Sequence, residues 1–554
     1  MVCSPLSPYN ACMSSQSTRR RDGALVVVLL VIAVIGAALR LPDLARRPMH
    51  GDEAVHAVKL WDLHTSGTYR YDPHEYHGPT LYYLTLPVIR LAGVRSFAEL
   101  SEAHLRLVTV AFGLGLIPLL WLVRDGLGRA GVCVSALLTA VSPAMTFYSR
   151  YYIQETLLVF FTFLMLAAGW RYSVSRKIGW AAAAGAGAGL AHATKETCMI
   201  AFACAAAAWL CLRWGGAERR TGPGAESRRD DVIRSGRGVR LALPVAFVCG
   251  AAVSVAFYSA FFTHARGPVD SVLTYATYLD RAGNYGLHDH PWWTYLQILA
   301  YTHWGPGPAW SEGAILTLFV IGLAFAFRRA NPDADAGAEA RQTFGRYIVL
   351  YAGMMIVVYS AIPYKTPWCM LGFLHAAILA GGFGFNHVLT AARRPTLKAL
   401  AVALFVAATG HLARQTTLLT GPRFESDRRN PYVYAHPVGG VLRMTSYLEA
   451  LADAHPKGRS LRIDVVSPDA DYWPLPWYLR SCSGVAYWDA PPDELAPVVV
   501  ANTVLTQEEQ ERLTDGRHVS YYGFRPDVVM LVSVEQSVFE QFAAQEGASG
   551  SSAP

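Results

Sequence analysis

Apolar residues fall along the chain in long unbroken blocks rather than at the spacing of half-buried helices or strands. Blocks of roughly 17–22 residues recur between Ala24 and about Ala413, long enough for helices that cross a hydrocarbon core. They predict about eleven transmembrane helices, near 24–41, 104–123, 130–147, 155–171, 178–193, 197–213, 241–262, 311–328, 346–362, 368–390 and 397–413. Two segments between the first and second blocks, "VHAVKLWDLH" and "TLYYLTLPVIRLAG", read as helices lying along the membrane. Counting the second as a span would put the Arg213–Arg240 loop outside, against the tendency of basic loops to stay cytoplasmic. After Gly421 the pattern changes. "LRIDVVS", "APVVVANT" and "HVSYYGFRPDVVMLVSV" read as strands, the last as a hairpin, and "GGVLRMTSYLEALADAH" has helical spacing.

The pattern divides the chain into a polar, disordered cytoplasmic N-terminus (1–23), a transmembrane domain (24–420) with a large first loop (42–103), a small α/β domain (421–540) and a disordered tail (541–554). "GGAERRTGPGAESRRDD" reads as a flexible loop and "AQEGASGSSAP" as part of the tail. The Ala/Gly-rich "WAAAAGAGAGLAHA" predicts close helix packing through small residues. The first apolar block is too long for a signal-peptide core and lacks a cleavage site, so it reads as an uncleaved helix.

Charge orients this arrangement. The Arg19–Arg21 cluster places the N-terminus in the cytoplasm, and alternate loops carrying Arg124 and Arg129, Arg171 to Lys177, Arg213 to Arg240, Arg328 to Arg346 and Arg393 to Lys398 are all basic. The net charge of +7 therefore reflects topology and does not point to nucleic acid. Composition agrees with a membrane protein: 53% of residues are hydrophobic and 16% charged, against about a quarter charged in soluble domains. Of nine cysteines only Cys482 falls in the soluble domain, which excludes a disulfide framework there.

In that orientation the chemically interesting loops share the outer face with the C-terminal domain. Asp52 and Glu53 stand side by side in "MHGDEAVHAVKLWDLHTSG", with His56 one turn on and His77 in "EYHGPTLYYL". In a helix the two carboxylates would point about 100° apart, so that one could face a cavity while the other meets a cation or backbone amide. Arg150 and Glu155 flank "YYIQ", "TKE" supplies Lys195 and Glu196, "PYKTPW" supplies Lys365 and "THWGP" supplies His303. Each has an ordinary reading: a solvated acid pair, an acid at a helix N-terminus, a Lys195–Glu196 salt bridge, a snorkelling lysine. His288 and His290 lack a third ligand at firm spacing, so no metal site is expected. "DYWPLPWYLR" reads either as locally packed aromatics or as a platform for a sugar or lipid head group. Taken together, acids that accept a proton and cations that neutralise an anion at one membrane face suit transfer of a sugar from a lipid-linked phosphate. A carboxylate deprotonates the acceptor hydroxyl and a cation stabilises the departing phosphate.

The ordered set "MHGDEAVHA", "YHGPTLYYL", "SRYYIQET", "ATKET", "YKTPW", "NPYVYAHP" and "DYWPLPWYLR" resembles the GT-C superfamily of membrane glycosyltransferases, which holds protein O-mannosyltransferases and lipid A aminoarabinose transferases. It is most similar to the flippase-activity-associated, glycosyltransferase-like membrane proteins of archaea and bacteria. The resemblance covers most of the chain and implies an integral-membrane enzyme of the cell membrane. Such an enzyme uses a polyprenyl-phosphate sugar as donor and a glycan, lipid or protein as acceptor. It implies Asp52 as general base, Glu53 as supporting acid, Glu155 lining the site, and Lys195 and Lys365 on the donor phosphate, with His56, His77, Arg150, Glu196 and His303 as further substrate-binding candidates. Some relatives use a divalent cation (Mg or Mn) with their acids and others do not. The aminoarabinose transferases carry a lysine immediately before the proline of the first-loop motif; here Gly78 precedes Pro79, leaving His77 as the candidate replacement. The rival from another class is a non-catalytic protein that assists flipping or presentation of lipid-linked sugars. Against it, the chain shows no internal repeat, and its polar residues sit at helix ends rather than at mid-bilayer.

Overall fold

The computed structural model describes residues 8–74, 77–217, 225–281, 288–328 and 336–550. Each of the eleven apolar blocks is helical: Pro8–Arg40, Glu102–Leu119, Arg124–Val141, Glu155–Ser175, Ile178–His192, Cys198–Ala217, Ala225–Tyr258, Gly313–Ala326, Ala336–Ala361, Leu371–Ala391 and Pro395–Leu419. Among the described residues, seven segments are long and apolar enough to cross a bilayer. One of them, Glu102–Val141, breaks at Gly128 (φ 74°) and so contains two of the eleven helices; Cys198–Trp214 and Gly313–Ala326 are shorter apolar helices. The third block ends earlier than its hydropathy implied. Ser142 leaves helical geometry, accepts a hydrogen bond from Met145 N, and starts a separate helix, Pro143–Ser149, with proline at its first position.

Three expectations of disorder are corrected. The first helix begins at Pro8, well inside the polar N-terminus, while residues 1–7 lie outside the described residues. Helix Ala225–Tyr258 takes in the second half of the segment expected as a cytoplasmic loop; 218–224 lie outside the described residues. Helix Gln536–Gly550 occupies most of the expected tail. Polarity without apolar periodicity does not distinguish a solvated helix from a coil.

Small residues set the closest helix contact. A Cβ on Gly185 would lie 2.0 Å from Ala246 O, and one on Gly189 2.3 Å from Gly250 O, so Ile178–His192 and Ala225–Tyr258 touch backbone to backbone. Both first-loop helices form, at Gly51–Ser66 and Thr80–Leu91.

The C-terminal sheet holds β1 (Ile463–Val466), β2 (Val485–Trp488), β3 (Val498–Asn502), β4 (Arg517–Arg525) and β5 (Val528–Glu535), in the order β2-β1-β3-β5-β4. β1 runs parallel to β2 and β3, and β5 is antiparallel to β3 and β4. β1 and β3 are buried along their whole length, as central strands covered on both faces. The edge strand β2 was absent from the sequence reading; its four residues are half-exposed and carry no alternation.

This domain is pegged to the first loop by the aromatic segment 471–480. Trp477 Nε1 donates to Glu102 (2.8 Å), Arg480 donates to Leu100 O (2.8 Å) and Phe97 O (3.2 Å), and Met49 N donates to the Tyr478 hydroxyl (2.7 Å). Trp477 is fully buried with its indole under the Arg480 guanidinium. Of the two readings of "DYWPLPWYLR", packing is the one the contacts support, and what it packs is the strand of chain that leads into Asp52.

Candidate functional site

Helix Gly51–Ser66 begins at His50, whose Nδ1 accepts from Asp52 N (3.0 Å) while Glu53 Oε2 accepts from His50 N (3.1 Å). This reciprocal cap fixes the first turn. It turns the neighbouring carboxylates to opposite environments, as the 100° spacing requires. The Asp52 side chain is 49% exposed, with His50 Nδ1 3.7 Å from its Oδ1. Glu53 is wholly buried. Arg106 grips it through Nε and Nη2 (2.8 Å each), Arg47 Nη2 reaches both oxygens at 3.3 Å, and Tyr152 N donates at 2.8 Å. Burial alone would raise the Glu53 pKa, but the two guanidinium charges and these hydrogen bonds outweigh it and hold the carboxyl at about 2. Glu53 thus faces the scaffold; it has no free edge for a substrate, and its support for Asp52 is structural.

Around Asp52 stand groups from distant parts of the chain. His50 Nε2 bonds Tyr434 O (3.1 Å), and its ring lies 5.0 Å from His436, 5.3 Å from Tyr151 and 5.8 Å from Trp368, centre to centre. His288 Nδ1 meets the Tyr434 hydroxyl at 2.5 Å and lies within the field of Asp52. Lys365 is buried, with its ammonium turned to the carbonyls of His290 (3.3 Å) and Ile362 and its N–H bonded to His288 O (2.9 Å).

Further along the same helix His56 is buried, Nδ1 2.9 Å from the Tyr82 hydroxyl. Burial drives its pKa to about 3; Asp52 opposes that, while His77 and Lys195 add to it, so all three charges converge on this imidazole. His77 Nδ1 lies 2.8 Å from Glu196, which also accepts from Tyr71 OH (2.7 Å). Lys195 pairs with Glu155, both buried. In "TKE", Lys195 thus turns to Glu155 and Glu196 to His77 and Tyr71. Gly78 earns its place here: a Cβ would sit 2.2 Å from Ala193 O, and Thr80 N donates to that same carbonyl (3.1 Å). A lysine could not occupy this position, which accounts for the departure from the aminoarabinose-transferase motif.

From the Glu155–Lys195 pair a groove runs into the bundle between helices Glu155–Ser175, Ala336–Ala361 and Leu371–Ala391. Val159, Phe163 and Leu166 form one wall, Tyr351, Met355 and Tyr359 another. From Glu155 to Leu166 the groove descends roughly 16 Å at 1.5 Å per residue.

Two candidates lie apart. Arg150 points away from Asp52, toward the carbonyls of Leu39 (3.5 Å) and Asp43 (3.3 Å). His303 is exposed and bonds Gly307 O (3.0 Å) within its own loop. Among the described residues no three His, Cys, Asp or Glu side chains are grouped to hold a metal ion. The sequence reading missed Arg47, Arg106, Tyr434, His436 and Trp368. Arg106 had a signal, an arginine inside a block assigned to the bilayer. Tyr434 and His436 lie in "NPYVYAHP" and Trp368 in "YKTPW", and Arg47 just precedes the Asp-Glu segment, where nothing local marks it out.

These buried groups set an acid limit on stability. His56 and Glu53 have native pKa values below their ordinary 6.5 and 4.5, so the unfolded chain takes up protons more readily and stability falls with pH. The His56 contribution is complete above about pH 6.5 and drains away toward about pH 3, and Glu53 adds its loss between about pH 4.5 and 2. Thermal unfolding in nanodiscs is expected to shift down between about pH 7 and 4, and His56→Gln to flatten that dependence. A midpoint constant over this window would contradict a buried neutral imidazole.

Residues 77–220 match the family described as dolichyl-phosphate-mannose-protein mannosyltransferase. No curated protein sequence matches the chain. Among solved structures, ArnT from Cupriavidus metallidurans bound to undecaprenyl phosphate superposes with a TM-score of 0.57 at 14% identity, over 93% of this chain and 99% of that one. The oligosaccharyltransferase of Archaeoglobus fulgidus tethered with an acceptor peptide gives 0.55 at 12%, over 90% and 74%. The archaeal oligosaccharyltransferase AglB of the same organism, in complex with an inhibitory peptide and a dolichol-phosphate, gives 0.53 at 11%, over 91% and 74%. At such identities the likeness is one of fold: the chain shares the fold of these solved structures.

Proposed function

We propose that the protein is an integral-membrane glycosyltransferase. It moves a hexose or pentose from a polyprenyl-phosphate carrier to a glycan, lipid or protein hydroxyl at the outer face of the cell membrane. The observation that carries this reading is the junction of two environments. An exposed carboxylate, Asp52, is fixed by a buried arginine-clamped scaffold. Asp52 and Lys195 both act on the buried His56, and Glu155, the partner of Lys195, lines an apolar groove. The fold is shared with a protein solved with undecaprenyl phosphate and with one solved with a dolichol-phosphate, which supports a carrier of this kind.

Asp52 takes the proton of the acceptor hydroxyl as its oxygen attacks the anomeric carbon. The bond from that carbon to the phosphate oxygen breaks with inversion, and the polyprenyl phosphate leaves with the electron pair. Lys195 at the groove mouth, with Lys365 behind it, neutralises the charge that builds on the phosphate. The Glu196 carboxylate holds His77 on the same side. The isoprenoid tail lies in the groove, where apolar walls replace water.

Protein in nanodiscs, given a panel of polyprenyl-phosphate sugars and candidate acceptors, is expected to release free polyprenyl phosphate. Ala201, buried against the groove, offers a second handle. Ala201→Phe is expected to weaken carrier binding by about tenfold or more, since a ring there displaces roughly the contacts of one or two buried methylenes. Unchanged carrier affinity in a folded variant would remove the groove from the account.

A further inference from the structure

The chain that leaves helix Ala225–Tyr258 turns and forms a further helix, Gly267–Arg281, outside the eleven apolar blocks. Its faces are arranged the wrong way round for water. Val269, Val272, Leu273 and Ala276 stand at i, i+3, i+4 and i+7, which puts them on one stripe. That stripe is exposed, Val272 by 64% and Leu273 by 54%. The opposite side, Asp270, Ser271 and Thr274, is polar and buried. A helix on a soluble surface turns its apolar stripe to the core and its polar side to solvent. Here the core side is the polar one, and each of its three groups has a partner. Asp270 Oδ1 accepts from Arg266 Nε (3.1 Å), the Ser271 hydroxyl donates to Pro268 O (2.7 Å), and Thr274 Oγ1 donates to Pro73 O (3.0 Å).

The neighbouring surface identifies what covers the stripe. The preceding helix contains a segment fit to cross a bilayer, Leu241–Tyr258, and its residues Leu243, Phe247, Val248 and Val255 are apolar and exposed as well. Between the two helices Ala260, Phe261 and Phe262 take left-handed backbone (φ 48°, 55° and 72°), and both phenylalanines are exposed, Phe262 by 78%. The Phe261 ring meets Tyr83 edge-on (5.1 Å), on the first-loop helix Thr80–Leu91. Exposed apolar side chains thus recur from the span, through the turn, into the helix. The exposed cation among them, Arg266, stands at the start of the helix, where a lipid head group would meet it. We propose that helix Gly267–Arg281 lies in the head-group boundary of the bilayer on the Asp52 side, with Val269, Val272, Leu273 and Ala276 sunk among the acyl chains. Its inner face then braces part of the site. Pro73 is tied to Thr274, the Tyr275 ring stacks on His192 (6.2 Å), and Tyr258 packs edge-on against Tyr71, whose hydroxyl donates to Glu196. The bilayer surface thereby supports the His77–Glu196 pair through a helix that does not cross it.

The test uses the full chain in phosphatidylcholine nanodiscs, with the photoreactive p-benzoylphenylalanine in place of Leu273, of Phe247 on the span, or of Tyr521 on β4, all three exposed. On irradiation, peptides with the probe at Leu273 are expected to gain a lipid mass in a yield like that at Phe247, and those with the probe at Tyr521 to gain none. Should the Leu273 variant not fold, the probe at Val272, on the same stripe, is expected to gain the lipid instead. No lipid adduct on the stripe, or an adduct with a protein chain in its place, overturns the proposal. The brace is read by amide hydrogen exchange in the same nanodiscs. Val272→Asp, which charges the stripe, and Thr274→Val, which cuts the tie to Pro73, are expected to speed exchange several-fold across residues 69–74 and to leave the C-terminal sheet unchanged. Exchange as slow as in wild type in both variants overturns the brace. Neither readout requires turnover.

Discussion

Glu53→Gln is expected to cost a large part of the protein's stability. The carboxylate is fully buried and answers two buried guanidinium groups, one of them bidentate. An amide keeps the shape but removes the charge and offers one acceptor where Arg106 needs two. Breaking a buried pair in this way costs about 3–5 kcal/mol, because the partner stays behind uncompensated. That is a large part of the ~5–15 kcal/mol by which ordinary domains are stable. The same change sets an NH2 group against one of two backbone amides, His50 N or Tyr152 N, which donate to different oxygens of Glu53. The variant should therefore be recovered poorly and unfold at markedly lower temperature in nanodiscs. A wild-type midpoint would show that Glu53 is not the scaffold described above.

Asp52→Asn, one residue earlier, is expected to behave in the opposite way. Its side chain is half-exposed, and the His50 imidazole, whose Nδ1 accepts from Asp52 N, lies 3.7 Å from its carboxylate. Exchange for an amide of the same shape at such a position leaves stability within about 0.5 kcal/mol. What it removes is a proton acceptor. Loss of a general base lowers turnover by about 10²–10⁴-fold, while donor affinity, which rests on the groove and Lys195, stays near wild type. Two adjacent acids thus separate into one whose loss is read in the unfolding midpoint and one whose loss is read in kcat. Parallel behaviour of the two variants would contradict the geometry of the cap.

Much of this was legible in the chain. Each apolar block is helical, because a bilayer demands length and hydropathy from local sequence alone, but only seven described segments, holding eight of these helices, are long and apolar enough to cross. The hairpin of β4 and β5 and the buried β1 and β3 announced themselves through β-branched runs, whereas β2, four half-exposed residues at an edge, did not. Within the site, the opposite facing of Asp52 and Glu53 followed from helical spacing. Which of them faced inward did not, because Arg106 lies 53 residues further on. Tyr434 meets His50 across 384 residues and Glu196 meets His77 across 119, so these pairings exist only in the folded chain. Arg150 looked like a companion of Glu155 from its place in "SRYYIQE", but the bend at Arg150 turns it toward the first helix. Gly78 read as a departure from a motif; its reason is a backbone contact with Ala193 that no one-dimensional pattern records.

The most direct test of the central claim measures two quantities on the same nanodisc samples of wild type and Asp52→Asn: binding of a polyprenyl-phosphate sugar, and release of free polyprenyl phosphate in the presence of acceptor. The account predicts binding in both proteins, release in wild type, and release reduced by at least about a hundredfold in the variant. Binding without release in either protein, or equal release in both, would contradict Asp52 as the base and leave a protein that presents or helps move lipid-linked sugars without transferring them.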